Sequence, residues 1–438
     1  MILARRWVGL LIACVFFDST AYAAVLELSQ VVQQGLAFSP EVKKAEAQLS
    51  EAQSTTTQRK GLLAPKIDLY GSARLKEDPS RSSTSTSTFV GNDEEYDASV
   101  RLVQPLYRGG LLFNGIESYK LSEEIERQRL FDAKQAAVTQ LVFAYYDLAQ
   151  SEKELVAAEE QLEVLKIYAD IVRRYEQNGR SRRMDRLQSE VNLSLTTADQ
   201  VRLLRQRNVS SDMLKKLLGL GTGGEPLSGK MPTLPTAVPP PAFGLAYETM
   251  LKNNPEMKVA ELTRQKTDFD NAIERAEDRP TLNIEGSYGY RAAERPDWFA
   301  DNSNYYTIGL FLTVPLFSGF TSLAKRRVHA ERLTQDERTI EVVRLDLRQR
   351  LQQSLLAQKS EYERLTTAQT AAKLGREALL LANNSFRQGV ASNQDVLNAQ
   401  RTRYDSERLL IESQFSYLRA RLDVQRLLGT SLQQVYAN

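Results

Sequence analysis

The chain of 438 residues has one cysteine, Cys14, and one histidine, His329. Cys14 falls inside a leader segment, so a chain cleaved after it can form neither disulfides nor thiolate metal sites, and packing alone must hold it together. His329 sits mid-helix beside Lys325, Arg326 and Arg327, a setting expected for a surface residue rather than a base or ligand. No glycine-rich phosphate loop, metal-ligand spacing or nucleophile motif is present, which speaks against an enzyme and implies no cofactor and no metal. Charge of one sign is missing too: 57 basic against 55 acidic residues leave a formal +2, too balanced for a nucleic-acid partner. After the leader no run approaches the ~18 apolar residues of a membrane-spanning helix. A membrane role would have to be carried by strands.

Met1 to Ala23 has the three parts of a secretory signal: Arg5 and Arg6, an apolar run from Trp7 to Phe17, and the small-residue site Ala21-Tyr22-Ala23. The mature chain is expected to begin near Ala24, outside the cytoplasm. Leu11-Ile12-Ala13-Cys14 also resembles a lipoprotein box, so lipidation at Cys14 stays open.

What the sequence does contain is itself, twice. Ser39-Pro40-Glu41 through Gly71-Ser72 aligns without a gap onto Asn254-Pro255-Glu256 through Gly286-Ser287, at a constant offset of 215 residues. Pro105-Leu106 then answers Pro315-Leu316, Gly179 and Asp185 answer Gly389 and Asp395, and Leu217-Leu218-Gly219 answers Leu427-Leu428-Gly429, at an offset of 210. Solenoid repeats run roughly 20 to 50 residues, so this longer unit reads as a duplicated half of one structure. The expected organisation is a leader (1–23), a first repeat (24–220), a Pro/Gly linker (221–241), a second repeat (242–430) and a C-terminal tail (431–438).

Each repeat contains a long segment of good helix formers. From Ile116 to Asn178 there is no glycine or proline, and these positions make a rod of roughly 95 Å at about 1.5 Å per residue. Phe320 to Gln388 is its counterpart, broken only by Gly375. In the first rod Ala137, Leu141, Ala144, Leu148, Ser151, Leu155, Ala158, Leu162, Leu165, Ala169 and Val172 follow alternating steps of four and three, a heptad seam for a neighbouring helix. The second rod shows two weaker stripes, hence two neighbours. The expected elements are long helices over 110–178 and 319–388, each turning over at a glycine, Gly179 or Gly389, into return helices over 180–218 and 390–428.

Four strands are expected, at 66–76, 96–106, 281–290 and 305–315. Their side chains alternate: Leu282, Ile284, Gly286, Tyr288 and Tyr290 on one face with Asn283, Glu285, Ser287 and Gly289 on the other, and Ile308, Leu310 and Leu312 against Thr307, Gly309 and Thr313. About ten residues is the length of a tilted membrane strand. Alternation alone fits a soluble hairpin equally well, but aromatic residues at the strand ends and the secretion signal favour a membrane, with Ile308, Leu310 and Leu312 facing lipid. The polar segments Glu77 to Glu95 and Arg291 to Asn304 fit exposed hairpin tips. Four strands cannot close a barrel, and an open edge is not viable in lipid. Several chains must share one barrel, and three would give twelve strands.

With the duplication, the strand pairs, the equal rods and both Gly-x5-Asp turns in place, the chain resembles the TolC-like outer-membrane efflux and secretion channel family over nearly its whole mature length. The most specific parts are the Pro40/Pro255 and Pro65/Pro280 repeats, Gln104-Pro105-Leu106-Tyr107, Val314-Pro315-Leu316-Phe317-Ser318-Gly319 and the two helix turns. The resemblance implies a mainly helical homotrimer, with a twelve-stranded β-barrel in the outer membrane of a Gram-negative bacterium and an α-helical tunnel in the periplasm. It implies a passive duct for type I secretion or tripartite efflux, opened by a periplasmic adaptor and an inner-membrane ABC or proton-driven transporter. Asp395 is then expected in a carboxylate ring at the periplasmic entrance, with Asn398 where a second acid can stand. An acid in the first turn of a helix serves the helix dipole equally well. Phe386 stands where a tyrosine can occur and Ala391 where an arginine can, so the polar links that hold some relatives closed are partly missing. Asp185 matches an acidic link position, but Arg180, Arg182, Arg183 and Arg186 surround it and local pairing is expected. Gly179, Arg180, Gly389 and Val390 are the expected adaptor contacts. A periplasmic coiled-coil adaptor or scaffold without a pore is the alternative that the helices alone would allow.

Overall fold

A computed structural model describes residues 25–76, 93–221, 225–229, 237–292, 304–317 and 319–436. The leader with Cys14, most of both hairpin tips and parts of the linker lie outside the described residues.

The two repeats fold alike. The first runs through α1 (Leu28–Phe38), α2 (Pro40–Gly61), β2 (Lys66–Lys76), β3 (Asp93–Arg108), α3 (Leu111–Gln177) and α4 (Arg183–Leu218). The second runs through α5 (Phe243–Asn253), α6 (Pro255–Ala276), β5 (Thr281–Ala292), β6 (Asn304–Thr313), α7 (Thr321–Arg387) and α8 (Asn393–Leu427), followed by α9 (Leu432–Tyr436). Helices α3 and α7 have 67 residues each, about 100 Å of rod.

The duplicated Pro-Glu signature is a helix start. Ser39 accepts a hydrogen bond from the Val42 amide, and Asn254 accepts from Glu256 and Met257. Each cap is followed by proline at the first helical position, where its missing N–H costs nothing, and by glutamate in the positive first turn.

Helices α3 and α7 span the length of the molecule and the shorter ones fill in beside them. In the half next to the strands α2 and α6 pack on α3, and α6 also packs on α7; in the other half α4 and α8 pack on α3, and α8 on α7. Each level is therefore a wall four helices wide, α2-α3-α6-α7 near the strands and α4-α3-α8-α7 at the far end. Every residue of the α3 heptad seam from Ala137 to Val172 is buried. The main core joins Leu141, Tyr145 and Leu148 of α3 to Phe415, Leu418 and Leu422 of α8, with Val31 and Val32 of α1 closing one side.

The strands form one antiparallel sheet in the order β2-β3-β5-β6, so the two hairpins meet along β3 and β5. The ladder slips between Pro105 and Tyr107, as it must where proline offers no N–H.

The boundaries differ from expectation where turn chemistry intervenes. Return helices expected from 180 and 390 begin at Arg183 and Asn393, because both turns use their first residues to cap the helix behind them. The second hairpin's outer strand, expected to 315, ends at Thr313, before Pro315. Strand β3 starts at Asp93, three residues before the expected 96.

His329 is the clearest correction. Expected at the surface, it is fully buried, with its Nε2 3.3 Å from a Glu274 carboxylate oxygen. The side chain faces α6, and Lys325 and Arg332, one turn away on the same side, pair with Glu277 and Glu274 at the rim of that contact. Charged neighbours in sequence do not fix the face on which a helical residue lies.

Two other segments are more ordered than their composition promises. In the linker, Ser228–Gly229 (β4) pairs with Val25–Leu26 (β1), and the Tyr417 hydroxyl donates to the Val238 carbonyl while accepting from its amide. In the tail, Leu432 is fully buried and its amide donates to Gln135.

Leu148→Ala, which opens a cavity in the core shared by α3 and α8, is expected to cost about 2–5 kcal/mol. A lowered midpoint of denaturant unfolding followed by helical circular dichroism checks it.

Candidate functional site

The functional surfaces are the sheet at one end of the molecule and the helix turns at the other. Cross-strand register puts Ile67, Leu102, Gly286 and Ile308 in one row and Leu69, Val100, Tyr288 and Tyr306 in the next, with Ile284 opposite Leu310 and Leu282 opposite Leu312. Successive residues on a strand alternate in face, so these rows lie on one side of the sheet. That side is apolar and open: Leu69 is 84% exposed, Ile308 76%, Leu310 64% and Leu312 64%.

The opposite face is polar and tied across strands. Asp97 of β3 accepts from Ser99 at 3.0 Å, from the Tyr305 hydroxyl of β6 at 2.7 Å and from Arg291 of β5 at 3.3 Å. Arg101 lies over the Tyr70 ring at 3.5 Å. The sheet thus has an apolar face without cover and a face on which Asp97, Ser99, Arg291 and Tyr305 bond to one another.

The apolar ladder ends near aromatic residues. Leu316, Phe317 and Phe320 are exposed just past β6, and the Phe317 and Phe320 rings meet edge to face at 5.3 Å. Phe320 takes the left-handed conformation (φ 62°) that Gly110 takes (φ 91°) in the first repeat. The second repeat keeps an aromatic where the backbone favours glycine.

At the far end, both Gly-x5-Asp motifs have the same physical meaning. Gly179 (φ 71°) and Gly389 (φ 75°) are left-handed, and the amides of Arg180 and Val390 reach back to the carbonyls of Tyr175 and Ser385 at 2.7 and 2.9 Å. This closes α3 and α7 with the glycine turn that needs no Cβ. The aspartate then opens the next helix. Asp395 accepts from the Ser392 amide at 2.8 Å and its hydroxyl at 2.6 Å, while Ser392 accepts from the Asp395 amide, a reciprocal cap. Asp185 accepts from the Arg182 amide and the Ser181 hydroxyl.

These hydrogen bonds hold the Asp395 carboxyl below its usual range, the Ser392 hydroxyl contributing most. Arg182 lies 3.4 Å from Asp185, and Arg186 bridges Glu176 and Glu190. Arg182 and Arg186 are therefore bound within their own hairpin. Val390 is 81% exposed, and Gly179, Arg180, Arg183 and Gly389 are exposed beside it. Asn398 accepts from Gln394 one turn away.

A residue pair that the sequence did not single out links the hairpins. The Tyr168 hydroxyl of α3 donates to Asn393 Oδ1 of α8 at 2.6 Å, and burial, then the Asp185 charge, raises the Tyr168 pKa. Phe386 lies against Tyr168 and Tyr175 of α3, with centroids 6.0 and 6.5 Å apart. Farther along, Tyr404 of α8 donates to Asp199 of α4 at 2.9 Å. Burial alone would raise the Asp199 pKa, but bonds from Arg202 and Tyr404 outweigh it and the carboxyl is held low. Among the described residues no cluster of three or more His, Cys, Asp or Glu side chains has the geometry to hold a metal, and no helix is long and apolar enough to cross a membrane.

The family model for outer membrane efflux proteins matches residues 31–220 and 246–430, both repeats. The chain belongs to the outer membrane efflux protein family. It is 22% identical over 380 residues to the alkaline protease secretion protein AprF of Pseudomonas aeruginosa, covering 83% of this chain and 76% of AprF. It is 20% identical over 420 residues to the toluene efflux pump outer membrane protein TtgC of Pseudomonas putida, covering 92% and 82%. The open-state MtrE outer membrane channel of Neisseria gonorrhoeae superposes with a TM-score of 0.76 at 18% identity, over 92% of this chain and 89% of that one. An outer membrane efflux protein sits in the outer membrane and extends into the periplasm.

Asp395→Asn is expected to fray the start of α8. A carboxyl whose folded pKa is depressed stabilises above its unfolded value, about 3.9, and loses that contribution as pH falls through the folded one. Amide protection factors at residues 392–396 should therefore fall in the wild type only as pH drops below the ordinary carboxylate range, and should be low already at pH 7 in the variant.

Proposed function

We propose that three copies of this chain form a passive exit duct of a type I secretion or tripartite efflux system. The observation that carries this reading is a four-stranded sheet, apolar on one face, in which the outer edges of β2 and β6 have no partner strand among the described residues. Water does not favour that face and lipid does not tolerate those edges. Pairing β2 of one copy with β6 of the next satisfies both demands, and three copies close a twelve-stranded barrel.

The helical walls have matching open edges. Helix α4 leaves Val191, Leu195 and Val209 exposed, and α7 leaves Val342, Leu345, Leu374 and Leu381 exposed. Each is an unpaired apolar stripe at the end of the four-helix wall. Placing α4 beside the far half of α7 of the next copy covers Leu374 and Leu381, α2 lies at the level of Val342 and Leu345, and the barrel continues into a tunnel of twelve helices.

In this assembly the turns at Gly179–Arg180 and Gly389–Val390 form the periplasmic end, and a periplasmic adaptor docks on them. The duct has no chemistry of its own, so energy comes from an inner-membrane ABC or proton-driven transporter. AprF is named for protease secretion and TtgC for toluene efflux, and cargo in either class of system is chosen by the transporter. Asp395 and Asn398 line the entrance. One carboxylate per copy makes a ring that attracts cations, and the cap at Ser392 keeps that carboxylate ionised.

Two measurements test this reading. Detergent-extracted protein should have the mass of a trimer and carry single-channel current in a planar bilayer, and Leu310→Arg, costing about 2–4 kcal/mol at mid-bilayer, should lower trimer yield. A soluble, non-conducting species would defeat the proposal. Asp395→Ala should reduce cation selectivity and relieve block by multivalent cations; an unchanged reversal potential in a salt gradient would remove the ring.

A further inference from the structure

We propose that an aromatic clamp, Phe386 of α7 seated against Tyr168 and Tyr175 of α3, holds the periplasmic end of this duct closed in place of charge pairs at the helix turns.

This rests on the reading of the chain as a duct. Each protomer ends in two helical hairpins, α3 with α4 and α7 with α8, and each hairpin is braced within itself. Widening the entrance means parting one hairpin from the other, so what resists opening must be a contact between them. The charged groups at the tip do not supply it. Asp185 is occupied by Arg182 and Ser181 of its own turn. Arg186 binds Glu176 and Glu190, both within the first hairpin. Asp395 is occupied by Ser392. At position 391 an alanine has no group to offer.

Apolar contacts do cross between the hairpins. Tyr168, Val172 and Leu165 of α3 are 6%, 1% and 4% exposed, and they pack with Val396 and Leu397 of α8, at 0% and 5%, into one cluster that Phe386 caps from α7. Tyr168 and Tyr175 are seven residues apart, two turns on one helix face. Phe386 meets the first at an angle of 53° and the second nearly parallel at 28°, and both are favourable ring geometries. The hydroxyl of Tyr168 adds a polar tie at the tip, to Asn393 at the start of α8; farther from the turn Tyr404 and Arg408 of α8 reach Asp199 of α4, and Arg403 reaches Gln161 of α3. Phe386 is the last aromatic residue before the α7 turn, so it sits where a small separation of the hairpins breaks the contact.

An apolar clamp differs from an ionic one in what releases it. Exposed charge pairs are weakened by salt because screening acts within about 10 Å at 0.1 M and 3 Å at 1 M. Ring packing is not screened. A partner that opens this end must therefore compete for or pry apart the rings, and a change in ionic strength alone will not do so.

The test uses trimers carrying one chain spin-labelled at Asn178→Cys and Gln388→Cys, read by distance distribution, together with single-channel recording of unlabelled protein. The mature chain cleaved after Ala23 has no other cysteine. Wild type should give one narrow distance, the same at 0.1 and 1 M salt, and small or rare currents. Phe386→Ala should broaden and lengthen the distance and raise open probability at least tenfold, with Phe386→Leu intermediate and Tyr168→Phe close to wild type. Trimer mass and helical circular dichroism show that the variants are assembled. An assembled Phe386→Ala with wild-type distances and currents overturns the clamp, as does a wild-type distance that lengthens in 1 M salt. Absence of current in every protein, with distances still responding to Phe386→Ala, overturns the duct and leaves the clamp standing as the contact between hairpins.

Discussion

A backbone amide or carbonyl in lipid must find a partner within the protein, and this single demand organises the molecule. Strands β3 and β5 meet it inside the chain, while β2 and β6 each leave one edge open. The sheet is therefore a third of a closed object, or some other fraction, but never a whole one. The helical walls repeat the situation with a different currency: where the sheet lacks hydrogen bonds at its edges, the walls lack partners for the apolar stripes on α4 and α7. Both deficits fall on the same two sides of the protomer, so one assembly step removes both.

Duplication explains why the deficits align. Each repeat supplies one β-hairpin, one long rod and one return helix, and the second is laid beside the first. The copies have drifted apart at particular places. At the junction between sheet and rod, the first repeat uses Gly109 and Gly110, whereas the second uses Gly319 and then Phe320 in a left-handed conformation, a choice that costs on the order of 1–3 kcal/mol. At the tips, the first turn carries arginines and the second Val390 and Ala391. The second repeat is the more apolar at both its ends, next to the sheet and at the turn.

Much of this was legible in the residues because repetition and periodicity are physical signals. The α3 seam could be listed position by position, since a residue on a seven-residue repeat next to a packed helix has nowhere to go but inward. The face of each strand followed from alternation. Local chemistry was harder to read: Gly-x5-Asp was visible as a motif, but that its glycine ends one helix and its aspartate opens the next, delaying α4 to Arg183 and α8 to Asn393, emerges only from the hydrogen bonds. His329 was misplaced because charged side chains one turn away on the same side, such as Lys325, pair at the rim of the contact with α6 while the imidazole between them is buried. The linker looked free because proline and glycine report poor secondary structure, not poor tertiary contact; the Tyr417 hydroxyl pins it. Tyr168 and Phe386 lie 218 positions apart, and no periodicity in one segment points to a partner in another.

The equal length of α3 and α7, 67 residues each, limits how this protein can change. One residue inserted in either rod would advance everything beyond it by about 1.5 Å and rotate it by 100°, turning the buried seam outward and leaving one turn lower than the other. Only insertions near a whole number of turns, such as about seven or eleven residues, keep the phase, and even these must occur in both rods to keep the tips level. Variation in length is therefore driven out of the rods and into the segments that carry no phase, the hairpin tips and the linker, and the reach of the molecule from one end to the other is set by two numbers that can drift only together.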